Sequence, residues 1–456
     1  MSHKIEQKPR RVRLNSLEQI NLDAGGLDIG VEEIWACVPE DRTAEPVRRF
    51  ETFTADLHRL ADWLESCGVT TVAMESTGVY WIAIYEIVEA RGIEVCLVNA
   101  QATKNVSGRK SDVLDCQWIQ QLHTYGLLRP SFRPPADICP LRTYVRQREK
   151  LLQQRAAHIQ QMQKALHLMN LKLTSVISDI TGLTGMQIIR ALLRGEHNPV
   201  HLAQFRDPRC KSSEEEIAKA LTGNYQPEQL FTLRQAVEAF DFYTQQLANC
   251  DTELEQHYAC FEPQVDIVEQ PLPDKPQRRR ANQPDFDLRT FLYLTSGVDL
   301  TAVDGIDLLL AQEILAEVGT DMSKWKSAKH FASWLGLAPN NRSSAGKIKS
   351  RQTQKTKNRA NTAFRLAAQS VSRTQSAFGA FFRRIKAKHG APIAITATAH
   401  KIARMVYHML KDRVPYSDPG ATTYNEQQRQ RSLRHLQRQA LKHGMTLVPE
   451  AQPSVS

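Results

Sequence analysis

The sequence lacks any apolar run long enough to cross a membrane, and its first residues lack the apolar core of a secretory signal. The amino terminus, MSHKIEQKPRRVR, is basic and polar. A spanning helix needs about 20 predominantly apolar residues, and a signal peptide needs a shorter apolar stretch. These absences predict a cytoplasmic protein with no membrane partner.

Cysteine pairs in the CxxC arrangement are also missing. The chain has 8 cysteines, and no two of them are separated by only two residues. Scattered cysteines argue against a structural zinc site and against a disulfide framework. We therefore expect reduced thiols.

Acidic residues are absent from one long stretch. Between residues 322 and 411 the sequence has no Asp or Glu but 19 Lys and Arg. The chain has 59 basic and 49 acidic residues in all, so the other 40 basic residues leave the remainder net negative by 9. Because a segment of one charge sign repels itself unless a polyanion neutralises it, the stretch predicts nucleic-acid binding. A solvated charged face is the alternative.

The length of 456 residues exceeds what one hydrophobic core usually organises, and it predicts two or three domains. The fold class that we predict is multidomain, with an α/β amino-terminal domain, a helical coiled-coil middle and an all-α basic carboxyl-terminal domain. The predicted domains are residues 17–136 (α/β), 137–261 (helical coiled coil), 262–287 (linker), 288–415 (basic) and 416–456 (polar tail).

Alternating strand and helix patterns support the α/β assignment. Residues 26–38, 69–76 and 93–99 each have the composition of a buried strand. Helical patterns lie between them at 53–66 and 80–90, as in a layered sheet. A further helix is expected from Ser111, as its amino cap, to about Tyr125.

Two apolar rows at helical spacing mark the middle of the chain, one over residues 159–173 and the other over 230–254. They predict two long helices that pair as an antiparallel coiled coil. The pair would serve either as a spacer or as a contact between protomers, and the sequence leaves both open.

Beyond the proline-rich linker, helices are predicted at 308–318, 328–334, 360–373, 377–388 and 396–410.

Four carboxylates occupy positions that an α/β fold would bring together. Asp28 lies in the first predicted strand and Glu75 ends the second, and the carboxyl edge of parallel strands is where α/β sites form. Asp112 and Asp115 are three residues apart at the start of a predicted helix and so share a face. Such oxygen ligands predict Mg²⁺ or Mn²⁺. Separate surface acids are the alternative that spacing alone leaves open.

Three motifs in chain order carry a family resemblance: LDIG, MESTGVYW and LVNAQATKNVSGRKSDVLDCQW, starting at residues 27, 74 and 97. They resemble the DEDD domain, RuvC-like (RNase H-like) in fold, of the IS110 family of insertion-sequence transposases, most closely its IS1111 subgroup. The likeness continues through GLLRPSFRP. The resemblance implies that Asp28, Glu75, Asp112 and Asp115 are the catalytic, metal-binding tetrad, with Asp23 a weaker candidate for the first position.

The segment WLGLAPNNRSSAGKIKSRQTQKTKNRANTAFRLAAQS, from residue 334, resembles the serine-bearing transposase domain of the same family. The resemblance implies that Ser344 is the catalytic nucleophile. Because this chain has Ser-Ala-Gly where the family commonly has Ser-Gly, Ser343 stays open as an alternative. The turn at Asp304-Gly305 resembles a helix-hairpin-helix element or is a plain helical turn, and Asp307 stands where the family often has glycine.

Basic residues beside these motifs are expected to contact nucleic-acid phosphates rather than bases. Arg342 and Lys347 flank Ser344, where they would stabilise the phosphoryl charge. The predicted contacts are Lys104, Arg109, Lys110, Arg342, Lys347, Lys349, Arg351, Lys355, Lys357, Arg359 and Arg365.

The resulting prediction is a DNA transposase or recombinase in which Ser344 attacks a DNA phosphate, forms a covalent phosphoserine and exchanges strands through that linkage. The resemblance implies target and donor DNA, a noncoding guide RNA from the element's own end, and a tetramer built from dimers. One alternative is a RuvC-like nuclease whose nucleophile is water. Another is a non-catalytic nucleic-acid-binding protein with a degenerate tetrad.

Overall fold

The computed structural model describes residues 18–99, 112–274, 282–344, 347–350, 352–354, 356 and 358–448, and only the backbone of 112–114, 342, 343, 347 and 348. The chain divides into two compact units, one ending at Arg133 and one beginning at Pro134. The finer domain boundaries stay predictions. None of the helices in the described ranges combines the length and the apolar character that a membrane span requires.

A five-stranded mixed sheet organises the first unit, and its order is β3-β2-β1-β4-β5. The strands are β1 (Ala24–Ile29), β2 (Glu33–Cys37), β3 (Val47–Glu51), β4 (Thr71–Glu75) and β5 (Glu94–Val98). β1, β4 and β5 run parallel, whereas β2 and β3 form an antiparallel meander with β1. The helices are α1 (Thr54–Ser66), α2 (Trp81–Ala90) and α3 (Asp112–Thr124). The predicted α/β class of this region is confirmed.

The prediction of one strand over residues 26–38 was wrong, because the chain reverses inside it. The backbone N–H of Gly30 donates to the carbonyl of Glu33 at 2.9 Å and closes a turn between β1 and β2. A Cβ on Gly30 would lie 2.8 Å from that carbonyl oxygen, so the turn needs glycine there. The sequence pattern missed this turn because apolar residues continue on both sides of it. The short strand β3 was missed as well.

The two faces of the sheet are covered by different helices. Side chains of β1 and β4, such as Leu27 and Met74, pack with Leu60 and Leu64 of α1 and Ile84 of α2 in one buried core. The opposite face receives α3, which packs along β1. The site described below lies on the α3 face.

Two long helices, α4 (Ile138–Leu168) and α9 (Pro227–Ala259), pair in the second unit. His257 bonds to the carbonyl of Asp137 near the start of α4, while His158 stacks on Tyr243 farther along, so the two helices run antiparallel. Supercoiling of the pair stays a prediction. Four short helices pack at its far end around a shared apolar core: α5 (Leu173–Val176), α6 (Leu183–Leu193), α7 (Pro199–Ala203) and α8 (Glu214–Ala220).

The carboxyl-terminal half of this unit is mostly helical. Its helices are α10 (Leu288–Ser296), α11 (Leu308–Val318), α12 (Ala328–Trp334), α13 (Arg359–Ser370), α14 (Ala377–His389), α15 (Ala391–Asp412) and α16 (Gly420–Lys442), with single 3-10 turns at Leu300–Ala302 and Val371–Arg373. Phe331, Phe364 and Tyr407 are fully buried between them, and the Tyr407 hydroxyl donates to the carbonyl of Trp325 at 2.9 Å.

One prediction about this half was wrong in part. This half is not all-α, because β6 (Arg342–Ser344) and β7 (Lys347–Ser350) form an antiparallel hairpin. The hairpin was missed because its residues are almost all polar and leave no apolar alternation to detect. The polar tail contains α16, a helix with only one buried side chain, Tyr424.

Candidate active site

Asp28 and Glu75 come together at the carboxyl edge of the parallel strands. The register of β1 and β4 pairs Gly26 with Ala73 and Leu27 with Met74, and continuing it places Asp28 beside Glu75. Side chains alternate along a strand, so Asp28 lies on the same face as Gly26, and Glu75 lies on the same face as Ala73 and Thr71. Both carboxylates are half-buried.

Helix α3 crosses that same face and points its amino terminus toward the carboxylates. At its far end, the ring of His123 bonds to the hydroxyl of Thr71, at the start of β4, at 2.9 Å. In its middle, a Cβ on Gly26 would lie 2.5 Å from both the carbonyl oxygen of Cys116 and the amide nitrogen of Gln120. The helix therefore runs antiparallel to β1 and β4, and its first turns lie toward the ends of those strands.

The charge of Asp28 acts on the thiol of Cys116, which lies on α3. A hydrogen bond with the Cys37 thiol, burial, and the Cys37 and Asp28 charges raise the pKa of the Cys116 thiol. Asp28 is thus within electrostatic reach of Cys116, the residue that follows Asp115 on α3. Asp115 is half-buried, like Asp28 and Glu75. The fold brings Asp28, Glu75 and the helix turn carrying Asp112 and Asp115 to one edge of one sheet.

The chemistry of this donor set fits a hard divalent cation, because all four predicted ligands are carboxylates. Within the described side chains, no three His, Cys, Asp or Glu residues are grouped closely enough to hold a metal ion. Asp28, Glu75 and Asp115 are among the side chains that this statement covers, and the side chain of Asp112 lies outside the described part. The metal assignment therefore stays a prediction.

Asp23, the weaker candidate for the first position, lies at the other end of β1. It precedes the strand and forms an ion pair with Arg42. A cavity of about 540 Å³ also lies toward that end, lined by residues that include Arg42, Thr124 and Tyr125 and none of the four predicted ligands. The carboxylate edge and this cavity are therefore separate features of the first unit.

Ser344 ends strand β6 in the second unit and is exposed to solvent. The hairpin register pairs Ser344 with Lys347 and Ser343 with Ile348. The side chains of Ser343, Arg342 and Lys347 lie outside the described part.

The basic residues that are predicted to contact phosphate have different surroundings in the fold. Lys349 is exposed on β7. Arg359 at the start of α13 pairs with Glu149 of α4, and Arg365 donates to the Thr396 hydroxyl of α15 at 3.0 Å. Arg359 and Arg365 thus have protein partners. The remaining predicted contacts that lie outside the described residues are Lys104, Arg109, Lys110, Arg351, Lys355 and Lys357.

The turn before α11 has an internal role. The carboxylate of Asp307 accepts the backbone N–H of Leu310 at 3.0 Å and caps the helix. Gly305 has a φ of +89°, and a Cβ there would lie 2.4 Å from the carbonyl of Ala367, so the turn packs against α13. A carboxylate already occupies the helix amino terminus, which disfavours phosphate binding there.

Comparison with protein families decides the identity of the chain. The IS110 model for DEDD transposases matches residues 25–170, and a model described as the transposase IS116/IS110/IS902 family matches residues 299–383. Together the two matches cover just over half of the chain.

The chain belongs to the IS110 family of transposases. It is therefore an insertion-sequence transposase, an enzyme that cuts and rejoins DNA. The first match contains the carboxylate edge of this IS110-family transposase, and the second contains its serine hairpin. A search of curated proteins found no match.

Sequence motifs identified the candidate ligands but missed the residues that position them. Gly26 permits the close approach of α3, and Thr71 and His123 fix the direction in which the helix crosses the sheet. The available signal was the paired glycine at 25–26 inside a buried strand, because such a glycine marks a place where another backbone comes close.

Proposed function

We propose that this IS110-family transposase rejoins DNA through a covalent phosphoserine on Ser344. The hydroxyl oxygen of Ser344 attacks the phosphorus, one phosphorus–oxygen bond to deoxyribose breaks, and the leaving oxygen takes a proton as the serine loses one. A DNA hydroxyl then attacks the phosphoserine and releases the serine. The number of phosphodiester bonds is unchanged, so the exchange needs no ATP.

The observation that carries this proposal is the presentation of Ser344. It is exposed at the end of β6, opposite Lys347 in the hairpin register, within a segment that has no acidic residue. A cation beside a nucleophile stabilises the charge that develops on the phosphoryl group. Arg342 and Lys347 are the residues that we assign to that role.

Asp28, Glu75, Asp112 and Asp115 are the residues that would hold Mg²⁺ or Mn²⁺ in a RuvC-like domain. A bound cation would polarise the phosphate and lower the pKa of an attacking hydroxyl. The strand order β3-β2-β1-β4-β5 and the position of Asp28 beside Glu75 support this assignment. The family resemblance supports two further parts of the proposal, a noncoding guide RNA that pairs with target and donor DNA, and a tetramer built from dimers.

The test is adduct formation by the full-length protein. Purified protein, Mg²⁺, labelled element-end and target DNA and the candidate RNA are combined, and a denaturant-resistant protein–DNA adduct is sought. We expect the adduct to disappear in Ser344→Ala and to persist in Ser343→Ala, which changes the neighbouring serine. Cleavage without an adduct would favour a hydrolytic nuclease, and an absence of metal-dependent cleavage would favour a non-catalytic binding protein.

The carboxylate assignment has its own matched pair on one strand. Asp28→Asn should abolish adduct formation, whereas Asp23→Asn, at the opposite end of β1 and paired with Arg42, should leave it largely intact. Adduct formation at the wild-type level in Asp28→Asn would overturn the assignment of Asp28 to the metal-binding tetrad.

A further inference from the structure

Helix α16 projects an unusually exposed basic surface from the second unit. It lies beyond residues 299–383, which the second family model matches. It also lies beyond residues 322–411, the acid-free segment that contains no Asp or Glu. From Arg429 to Lys442 every side chain except Ala440 is exposed. This half of the helix therefore adds little to the core of the unit, and its composition needs another explanation.

The first turns of α16 are anchored against α14 and α15 by Tyr424. The Nε of Arg384 donates to the Tyr424 hydroxyl at 3.0 Å, and the Nζ of Lys401 lies 4.4 Å from the ring centre of Phe381 and 5.5 Å from that of Tyr424. Cations over aromatic faces are attracted by the ring quadrupole. The anchor thus holds α16 against two cations of the neighbouring helices.

Cations continue from this anchor along one face of α16. Arg431, Arg434, Arg438 and Lys442 are spaced by three, four and four residues, so they share a face that spans about 16 Å at 1.5 Å per residue. Leu433 and Leu436 lie on another side. In the described part of the chain these four cations form no ion pair with a carboxylate, whereas Arg429 on a different face lies 3.8 Å from Glu426.

One cation of this face, Arg431, acts on Lys401 of α15 together with Arg384 and Arg404. Burial, Arg384, Arg431 and Arg404 lower the pKa of Lys401. Like charges gathered around one lysine destabilise the fold unless an anion neutralises them. We define the α16 basic surface as Arg384, Lys401, Arg404, Arg431, Arg434, Arg438 and Lys442.

We propose that the α16 basic surface binds the phosphodiester backbone of a nucleic acid. Arg and Lys at helical spacing match a row of phosphates and carry no base-reading pattern, so the surface positions the nucleic acid rather than selecting its sequence. Basic amphipathic helices also bind anionic lipid. Nucleic acid is favoured because the chain is a transposase and the surface continues the acid-free segment of α14 and α15. The inference rests on the DNA-rejoining function and not on the assignment of Ser344.

The experiment measures equilibrium binding of the full-length protein to duplex DNA, single-stranded DNA and a structured RNA, by fluorescence anisotropy across a salt series. The test variant is Arg431→Gln, Arg434→Gln, Arg438→Gln. The matched control removes the same charge from exposed lysines at the far end of the helical pair: Lys164→Gln, Lys172→Gln, Lys211→Gln. A rescue variant replaces the same three arginines with lysine.

We expect the test variant to bind its preferred nucleic acid on the order of tenfold more weakly and to lose up to about three units of salt slope for a duplex, about 0.9 for each phosphate contact. The control should keep the wild-type slope, and the lysine variant should restore most of it. The nucleic acid that loses most affinity identifies the bound form.

Wild-type affinity and slope in the test variant would overturn the proposal. So would loss of binding to phosphatidylglycerol vesicles with nucleic-acid binding unchanged, which would assign the surface to lipid. The serine mechanism is tested separately, because Ser344→Ala should keep the wild-type salt slope. A loss of slope in the test variant of a protein that never forms an adduct would support this surface while the phosphoserine mechanism fails.

Discussion

Arg146 and Glu317 form a two-point ion pair in the second unit. The Nε and Nη2 of Arg146 each donate to one carboxylate oxygen of Glu317, both at 2.8 Å. Arg142, one turn earlier on α4, approaches the same carboxylate at 3.4 Å and donates to the carbonyl of Glu317 at 2.6 Å. The Glu317 side chain is only 8% exposed. The carboxylate of Glu317 therefore links α11 to α4 of the long helical pair.

Replacing Glu317 with Gln should destabilise the second unit. The change leaves the guanidinium groups of Arg142 and Arg146 without their counter-charge in a largely buried place, and removing one partner of a buried pair costs about 3–5 kcal/mol. We expect a value near the lower end, about 3 kcal/mol, because Arg146 is 44% exposed and is partly solvated. Urea unfolding followed by far-ultraviolet circular dichroism measures the change.

The control for this variant is Glu426→Gln, whose partner Arg429 is exposed and 3.8 Å away. Exposed pairs contribute about 0–1 kcal/mol, so its midpoint should stay close to that of the wild type. Equal midpoints for the two variants would show that the two-point pair contributes nothing to stability.

Replacing Asp251 with Asn should loosen the α4–α9 pair. Arg148 is buried and pairs with both carboxylate oxygens of Asp251, at 2.5 and 3.2 Å. Burial and the charge of Arg148 lower the pKa of Arg155, and the charge of Asp251 opposes that effect. Removal of the carboxylate charge would leave the buried Arg148 without its counter-charge, at a cost of about 3–5 kcal/mol. Hydrogen exchange along α4 and α9, together with the unfolding midpoint, measures the loss.

Asp241→Asn is the matched change on the same helix, because its partner Arg190 is half exposed. Its expected effect is below about 1 kcal/mol. If Asp251→Asn proved as mild as Asp241→Asn, burial of the Arg148 pair would not be the source of its strength.

Glu313 should make stability depend on pH. Burial and the charges of Glu149 and Glu317, opposed in part by Arg359, raise the pKa of Glu313 to about 7 from an ordinary 4.5. A carboxyl with a raised folded pKa contributes stability that is fully present below pH 4.5 and is lost as pH rises through about 7. Glu313→Gln does not titrate, so it should gain stability relative to wild type over that window, by about 1 kcal/mol after solvent screening.

Unfolding midpoints of wild type and Glu313→Gln between mildly acidic and mildly alkaline pH measure this difference. Glu149→Gln should move the transition to lower pH, because it removes a repelling charge and leaves Arg359 to face Glu313. A difference that does not vary with pH would rule out a titrating Glu313.

Gly26→Ala should disrupt the packing of α3 against β1. The new methyl would lie 2.5 Å from two backbone atoms of α3, so the helix must move away from β1. Overpacking of this kind costs about 1–3 kcal/mol, and it should also displace the turn that carries Asp112 and Asp115. We expect lower thermal stability and loss of DNA cleavage. Gly25→Ala is the control, because its methyl would lie 3.3 Å from two valine methyl groups and 3.5 Å from the carbonyl oxygen of Cys37, with no backbone atom as close as those at Gly26. Wild-type cleavage in Gly26→Ala would show that close packing of α3 against β1 is not required for DNA cleavage.

The local patterns of this sequence predicted its elements well wherever one period dominates. The helices over Leu308–Val318 and Ala328–Trp334 match their predicted bounds, and the antiparallel partners α4 and α9 follow from apolar rows at helical spacing. The patterns failed in two situations. A turn was missed where apolar residues continue on both sides of it, and a hairpin was missed where nearly all residues are polar. Gly30 reverses a strand that seemed continuous, and Ser344 lies in a hairpin that has almost no apolar residue.

The sequence by itself determined the chemistry that is available to this protein: four carboxylates in family motifs, a serine between Arg342 and Lys347, and a segment without acidic residues. Only the tertiary structure decided which of them meet. Strand register puts Asp28 beside Glu75, and the close approach at Gly26 directs the start of α3 toward them. The same packing pairs Arg359 with Glu149 and leaves the second half of α16 exposed to solvent. Residue type and spacing act within a few residues, whereas these relationships depend on backbones that come together from distant parts of the chain.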